Sequence, residues 1–481
     1  MLPQTLRNRR SVSTENLSKQ NQSSLVKDTA TVIRKLPVKA KLFLLCSGLL
    51  SLYAYYSIIR SLTTNHLAED AFLETEKCPA CYGHSLCWIL QDNQIHLTGW
   101  SKVRLLDFVN VKNVHFGHHK DLDHPVVLKK LAHSSELQDI DERICKDAGR
   151  QAGCDVARVL HVSDTGIEIR KLGLLPKHLK NTTYMFSCVT LNLIDLVIRK
   201  YQEKLKPKSD LPFVRDKLQI YATALVNSEP LLLQTFPKSE GWPFPEYFGA
   251  CGRFIAVEYC GEPLYNFYKE PFQKRADLAF QLLQMADKLT NTGGDFALYW
   301  TDLSYENFAV DSSGKMTIID MENIIVVDRK SLHNDIDKKK IKLKKNDTIS
   351  SGSMLQYLTY VMWYYINWHV KPKKWDELHE STFEKCDDTN CLIFSNDDLC
   401  NHINSDHNYY AVCLNILSKY ANEPGMGMPN GLLHDMPNYA RDDFDLDTLL
   451  NECVHPHKSQ GRIKAKDHLL EALNQLRNVK R

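Results

Sequence analysis

The chain has 481 residues, which is long enough for a membrane anchor followed by one large two-lobed domain or two ordinary domains. Its hydrophobic content of 43% supports a substantial core, and its formal net charge of +2 argues against a nucleic-acid-binding protein. The sequence has no platform of interleaved aromatic and basic residues, so we expect no nucleic-acid partner.

The first predicted element is the apolar, uncharged segment 42–59. At the rise of an α-helix it just crosses the hydrocarbon core of a bilayer. The polar tail before it, residues 1–41, contains many Lys and Arg and no periodicity, and we expect it to be disordered. Acidic residues follow the segment, so the positive-inside rule predicts a signal anchor with a cytosolic N-terminus. A cleaved signal peptide is the alternative interpretation.

The cysteines point to the compartment of the remaining chain. Of 14 cysteines only Cys46 lies in the predicted anchor, and the others form tight groups typical of disulfides in an oxidising compartment. The spacing at 78–87, Cys-x2-Cys-x2-His-x2-Cys, also resembles half of a zinc site, which is the less favoured interpretation. An odd number of cysteines lies beyond the anchor, so at least one thiol there should be unpaired within the chain.

Two glycosylation sequons, at Asn181 and Asn346, would then face the lumen. We interpret residues 60–77 as a lumenal stem and place the start of the folded domain at the first cysteine group.

Strands are predicted between Ile95 and Leu131. Lys129 ends the run Pro125-Val-Val-Leu-Lys, the position at which a protein-kinase strand carries its phosphate-binding lysine. A surface lysine at a strand end is the alternative. There is no Gly-x-Gly-x-x-Gly; Gly117 alone lies near the expected phosphate-covering turn.

A capped helix is predicted over residues 134–144. A kinase needs an acidic residue there to pair with the strand lysine. Glu136, Asp141 and Glu142 are all candidates, and the sequence does not choose among them.

Two buried strands are then predicted, at 231–236 and 253–257. The second runs into Glu258-Tyr-Cys-Gly, a step typical of a kinase hinge whose backbone grips the adenine edge. Val257 would limit the back of that nucleotide pocket. Cys260 is our candidate for the unpaired thiol beside the nucleotide, with a core cysteine or a disulfide partner as the alternative.

The strongest pattern follows an amphipathic helix predicted at 271–289. Asp302 is followed by Asn307 and, after a hairpin, by Asp320. This is the order and spacing that phosphoryl transfer requires: Asp302 to accept a hydroxyl proton, and Asn307 and Asp320 to bind metal ions. Residues 334–373 are interpreted as an insertion, and the remainder as a helical C-lobe.

Several strings resemble the deleted-in-autism branch of the divergent protein kinase domain family. They are Cys78-Pro-Ala-Cys, the segment 104–114, Gly241-Trp-Pro-Phe, Gly249-Ala-Cys-Gly-Arg and the segment 406–413. The resemblance implies a kinase-like fold in the ER–Golgi lumen or secreted, with Lys129, Asp302, Asn307 and Asp320 at the nucleotide, base and metal positions. It departs from the kinase pattern at Trp300-Thr301, which replace His-Arg, and at Met321-Glu322, which replace Phe-Gly.

We therefore expect an α+β, two-lobed, disulfide-stapled kinase-like domain behind the anchor. The N-lobe is predicted at 78–260 and the C-lobe at 261–481. The predicted activity is transfer of the γ-phosphate of ATP, with Mg²⁺ or Mn²⁺, to a hydroxyl of a secretory-pathway protein or glycan. The alternative is a pseudokinase that acts as a lumenal or secreted binding module.

Overall fold

The computed structural model describes residues 37–63, 65–102, 113–120, 123–204, 213–331, 377–383, 392–423 and 427–478. The chain divides into two units, one at the N-terminus that includes residues up to Thr64, and a folded unit that begins at Asn65. The predicted tail, except for its last residues, the insertion 334–373 and Asn346 lie outside the described residues.

The N-terminal unit contains helix α1 (Val38–Thr63). Its large apolar side chains, including Leu45, Leu50 and Tyr53, are exposed. By length and composition this helix could cross a membrane, consistent with the segment predicted at 42–59.

The folded unit begins earlier than predicted. Leu67 and Leu73, within the predicted stem 60–77, are fully buried. They pack in a cluster with strand residues such as Ile95, Leu128 and Phe254. Residues 65–77 therefore belong to the folded unit, because their apolar side chains complete the outer face of its sheet.

A five-stranded antiparallel sheet forms the N-lobe, in the order β1-β2-β3-β5-β4. Its strands are β1 (Ile95–Leu97), β2 (Val114–His119), β3 (His124–Lys129), β4 (Tyr247–Cys251) and β5 (Phe254–Glu258). Lys129 pairs with Val114 on one side and Ile255 on the other, so the lysine is fixed in the middle of the sheet.

In the described residues of the N-terminal half of the folded unit, nine α-helices lie before and between these strands in the sequence. They are α2 (Asp70–Leu73), α3 (Cys87–Gln91), α4 (Ser134–Asp147), α5 (Val156–Val159), α6 (Asp164–Leu172), α7 (Pro176–Leu179), α8 (Leu191–Lys204), α9 (Phe213–Val226) and α10 (Glu229–Thr235). The strand predicted at 231–236 is wrong, because these residues lie in and just after α10. Every residue of α10 is buried, so its apolar run has no periodicity that distinguishes a helix from a strand.

The C-lobe contains the long helix α11 (Phe272–Thr290) and short strands around the predicted catalytic segment. These strands are β6 (Glu262–Pro263), β7 (Phe296–Trp300), β8 (Phe308–Val310), β9 (Met316–Ile318) and β10 (Ile324–Asp328). β6, β8 and β9 form one sheet, and β7 pairs with β10. The predicted helix at 271–289 and the β8–β9 hairpin are confirmed.

The rest of the described C-lobe is mostly helical, as predicted. Its helices are α12 (Asn396–Asn401), α13 (His407–Val412), α14 (Asn438–Asp442), α15 (Leu446–Val454) and α16 (Gly461–Leu476). Four two-residue strands accompany them: β11 (Leu378–His379), β12 (Asn404–Ser405), β13 (Asn422–Glu423) and β14 (Met428–Pro429). In the core, α11 and α13 pack against β7, α16 packs against α11 and α13, and α15 packs against α13 and α16.

Five disulfides connect the described residues: Cys78–Cys81, Cys87–Cys251, Cys145–Cys154, Cys188–Cys400 and Cys413–Cys453. They confirm the prediction of a disulfide-stapled domain. Cys78 and Cys81 bond to each other and Cys87 to Cys251, so these thiols are not available as the ligands of a zinc site. Cys260 is unpaired and buried, as the interpretation of the hinge predicted.

Candidate active site

An ion pair marks the centre of the site. The Lys129 Nζ donates to Glu229 Oε1 at 2.8 Å and to the carbonyl oxygen of Ile319 at 2.6 Å. The Glu229 side chain is only 2% exposed and that of Lys129 13%. The lysine ammonium thus joins the N-lobe sheet, helix α10 and the segment that leads to Asp320.

Glu229 was missed by the sequence analysis. It opens α10, and its backbone N–H donates to the Asn227 side-chain oxygen at 2.8 Å. Pro230 occupies an early helical position, where proline is favoured because no N–H is needed. The pair Glu229-Pro230 is therefore a helix-start signal in the sequence. The apolar run that follows it, 231–236, also fits the pattern of a buried strand, which is why a strand is predicted there.

The three acids predicted to pair with Lys129 have other partners, so that prediction is wrong. Glu136 accepts from the backbone N–H of His133 at 2.6 Å and caps the start of α4. Asp141 pairs with Arg253. Glu142 accepts from Gln138 one turn earlier on the same helix, at 3.0 Å. These contacts hold α4 in place. The acid that pairs with Lys129 is instead Glu229 of α10, 100 positions later in the sequence.

The pKa values of the pair follow from burial and neighbouring charge. Burial acts to lower the pKa of Lys129, but the carboxylates of Glu229 and Asp320 outweigh it and the net shift is upward. Burial raises the pKa of Glu229, and the Lys129 ammonium opposes that rise. Lys129 is therefore a permanent cation at neutral pH.

Asp302 lies in the loop after β7. The Asn323 amide donates to its carboxylate at 3.3 Å, and the Asn307 amide donates to its backbone oxygen at 3.3 Å. Burial raises the pKa of Asp302, and the nearby Asp320 charge adds to the effect. A carboxylate with a raised pKa is a better proton acceptor than an ordinary surface aspartate.

Asn307 and Asp320 are held by the β8–β9 hairpin. The Ile319 N–H donates to the Asn307 carbonyl at 2.8 Å, which ties the two loops together. Ser304 donates to the Asn307 side-chain oxygen at 3.2 Å, and the Glu322 N–H donates to Asp320 at 3.3 Å. Both side chains offer oxygen atoms, the ligands that Mg²⁺ and Mn²⁺ prefer.

A buried asparagine on α13 hydrogen-bonds the strand that leads to Asp302. Asn408 accepts from the Trp300 N–H at 3.0 Å and donates to the Leu298 carbonyl at 2.8 Å. His407 bonds the Trp300 carbonyl through its Nε2. These contacts fix the end of β7, two residues before Asp302.

A cavity of about 230 Å³ lies between the sheet and the hairpin. Its lining contains the predicted nucleotide-binding residues Lys129, Val257, Glu258 and Cys260 together with Asn307 and Asp320. The apolar walls suit a planar heterocycle, and the charged end lies at Lys129 and Asp320.

Contacts of Glu258 and Gly261 fix the conformation of the predicted hinge. Both carboxylate oxygens of Glu258 accept from Lys238 at 2.6 Å, so this side chain braces the hinge. Gly261 has a φ of +108°, and a Cβ there would lie 2.1 Å from the Val310 carbonyl oxygen. Only glycine fits this position. Burial and the Glu258 charge raise the pKa of the Cys260 thiol to about 12, which keeps it protonated.

Gly117, predicted near the phosphate-covering turn, lies inside β2 instead. It pairs with Leu97 of β1 and Val126 of β3, and a Cβ there would meet the His96 carbonyl oxygen at 3.2 Å. The glycine thus allows close strand packing. Its neighbour Phe116 lines the 230 Å³ cavity and meets Tyr259 edge to face at 6.0 Å between ring centroids.

A larger polar cleft, about 680 Å³, continues on the other side of Lys129. Glu229, Asp320 and Glu322 all line it. Burial and the two neighbouring carboxylates raise the pKa of Glu322 to about 7. Lys129 and Asp320 line both cavities, so these two residues lie at the boundary between the 230 Å³ cavity and the 680 Å³ cleft.

Comparison with known proteins identifies the family of this chain. Residues 221–456 match a family model described as the protein-kinase domain of FAM69. The chain is 39% identical over 431 residues to divergent protein kinase domain 2A of Xenopus tropicalis, covering 88% of this chain and 92% of that protein. The human 2A protein is 37% identical over the same shares of both chains. The chain belongs to the divergent protein kinase domain family. Human divergent protein kinase domain 2B is 30% identical over 292 residues, 59% of this chain and 67% of the relative.

In this member of the family the lysine, the acid and the loop residues come from both halves of the chain. Lys129 lies before the residues that match the family model, while Glu229, Asp302, Asn307 and Asp320 lie within them. The predicted glycosylation site Asn181 is exposed, and it lies in neither cavity lining.

Proposed function

We propose that this protein is a kinase of the secretory pathway that transfers the γ-phosphate of ATP to a hydroxyl group. The observation that carries the proposal is the Lys129–Glu229 ion pair, placed at one end of an apolar cavity that also reaches Asn307 and Asp320. A buried ammonium fixed by a carboxylate is the device that kinases use to orient phosphates.

Each residue has a definite role in this proposal. Lys129 would hold the α- and β-phosphates, and Asn307 and Asp320 would bind Mg²⁺ or Mn²⁺. When bound, ATP supplies the transferable phosphoryl group and the metal neutralises its charge. Asp302 would orient the acceptor hydroxyl and accept its proton, which its raised pKa favours.

We further propose a type II protein of the ER or Golgi membrane with its kinase domain in the lumen, or released and secreted. Helix α1 and the five disulfides support this topology. The acceptor would then be a secretory-pathway protein or glycan that passes through the same compartment.

A thermal-shift measurement on the full-length protein in detergent tests the nucleotide site. ATP with Mn²⁺ or Mg²⁺ should raise the melting temperature, and Asp320→Ala should abolish that rise. Asp295→Ala is the control, since the exposed side chain of Asp295 pairs with the exposed Lys330 and lines neither cavity. A rise that persists in Asp320→Ala would refute the metal assignment.

The second candidate is a pseudokinase that binds partners without transfer. It is favoured by Glu322, which adds a third carboxylate to Glu229 and Asp320 around the single Lys129 ammonium. Excess negative charge opposes the binding of phosphates. This candidate predicts weak or metal-independent nucleotide binding and a function that survives Lys129→Met.

A further inference from the structure

The Cys78–Cys81 disulfide differs from the other bridges in its effect on the fold. Its cysteines are three positions apart, whereas Cys87–Cys251 and Cys188–Cys400 join positions 164 and 212 apart. A cross-link stabilises a protein mainly by restricting the unfolded chain, and the effect grows with the loop that it closes. Of the five described bridges this one restricts the unfolded chain least.

The two sulfurs have different surroundings. Cys78 is half-buried at the surface, while Cys81 is only 1% exposed. The Gln219 side-chain amide donates to the Cys81 Sγ at 3.0 Å. An amide donor stabilises a thiolate more than a thiol or a disulfide, so Cys81 is the better leaving group.

An exposed histidine completes the cluster. The Sγ atoms of Cys78 and Cys81 and a ring nitrogen of His84 lie within 4.8 Å of one another. Among the described residues this is the only group in which three such side chains converge. A protonated imidazole beside the bridge attracts an incoming thiolate and stabilises the thiolates that form.

We propose that Cys78–Cys81 is a redox-active disulfide that exchanges with thiols while the protein stays folded. Cys78 is the attacked sulfur, Cys81 the leaving sulfur, and Gln219 and His84 the supporting groups. None of the four lines either cavity of the candidate active site, so the exchange is separate from phosphoryl transfer.

The exchange balances with a dithiol as reductant. A reagent thiolate bonds to the Cys78 Sγ, the Cys78–Cys81 bond breaks, and its electron pair leaves on the Cys81 Sγ. The reagent's second thiolate then attacks its own sulfur in the mixed disulfide and releases the Cys78 thiolate. The reagent loses two electrons and becomes a cyclic disulfide, and its two thiol protons pass to Cys78 and Cys81.

The bridge has a direct link to the N-lobe. Tyr82, next to Cys81, donates to the Lys130 carbonyl oxygen at 2.9 Å. The Thr223 hydroxyl also donates to the Cys81 carbonyl oxygen at 3.2 Å. These hydrogen bonds from side-chain hydroxyls to backbone carbonyls do not involve the sulfurs, so they hold the segment in place whether the sulfurs are joined or separate.

The test uses the full-length protein, with dithiothreitol or graded glutathione buffers as the probe. Differential alkylation and peptide mass spectrometry report each cysteine under non-denaturing conditions. Cys145–Cys154 is the matched internal control, because it is also short, with a separation of nine, and also has one fully buried cysteine. We expect Cys78 and Cys81 to be reduced at least tenfold faster than this control. Reduction of both bridges at the same rate, or only on unfolding, would overturn the proposal.

Two variants test the supporting groups. His84→Ala, at an exposed position, should slow reduction of Cys78–Cys81 at least threefold, and Gln219→Leu should slow it similarly. His124→Ala, at an exposed histidine that begins β3, should leave the rate unchanged. Unchanged rates in His84→Ala and Gln219→Leu would overturn the roles assigned to them, and circular dichroism confirms that each variant is folded.

Discussion

The Lys129 ammonium and the Glu229 carboxylate meet at 2.8 Å across 100 positions of sequence. The helix that directly follows the lysine strand, α4, does not supply the partner, and the short buried helix α10 does. Asn227 connects this arrangement to the segment that carries Asp320, since its amide donates to Glu322 at 2.6 Å and to the Leu131 carbonyl at 3.2 Å. Hydrogen bonds of the Asn227 side chain therefore connect Glu229, the end of the strand that carries Lys129 and the segment that carries Asp320.

Glu229→Ala should destabilise the domain and weaken nucleotide binding. The change leaves the buried Lys129 ammonium without its carboxylate, and breaking one half of a buried pair costs roughly 3–5 kcal/mol. Chemical denaturation of the full-length protein measures the loss. Glu136→Ala is the control, because the exposed Glu136 caps the start of α4 and its loss should cost about 0.5–2 kcal/mol. Equal losses in the two variants would contradict the assignment of Glu229.

The geometry of the proposed catalytic loop was predictable because its residues are local in sequence. Asp302, Asn307 and Asp320 belong to one strand, loop and hairpin, so their spacing alone predicts that they lie together. Glu229 was not predictable in this way, because its partner is remote and α10 is buried on every side. Gly117 was predicted near a turn but lies in a strand, because the sequence alone does not distinguish a glycine in a strand from a glycine in a turn.

Asp302→Asn should reduce phosphoryl transfer by about 10²–10⁴-fold, the range expected for loss of a general base. The amide keeps the shape of the side chain but does not accept the hydroxyl proton. Nucleotide affinity should change little, since Asp302 lines neither cavity. Radiolabelled transfer and a nucleotide-binding isotherm, measured on the same preparation, separate the two effects. Full transfer by this variant would exclude Asp302 as the base.

Asn408→Ala should destabilise the C-lobe and displace the catalytic loop. The change leaves the Trp300 N–H and the Leu298 carbonyl buried without their partner, at a cost of about 1–3 kcal/mol for each group. Denaturation midpoints report the loss of stability. Asn401→Ala, at an exposed position, is the matched control and should lie within about 0.5 kcal/mol of the wild type. A similar midpoint for both variants would mean that α13 does not anchor β7.

His407 predicts how the stability of the domain depends on pH. Burial lowers its pKa to about 4, the hydrogen bond to the Trp300 carbonyl opposes the shift, and the charges of His379 and Arg462 reinforce it. The ordinary pKa of an unfolded histidine is about 6.5. The unfolded chain therefore takes up the proton first as pH falls, and the free energy of unfolding should decrease between pH 6.5 and 4.

The size of this effect is on the order of 3 kcal/mol across that interval, and above pH 6.5 the contribution should be constant. Urea denaturation at a series of pH values measures it. His407→Gln is the informative variant, because glutamine can donate to the Trp300 carbonyl but does not titrate. We expect a flatter profile between pH 4 and 6.5 for this variant. A wild-type slope in His407→Gln would assign the acid sensitivity to other titratable groups.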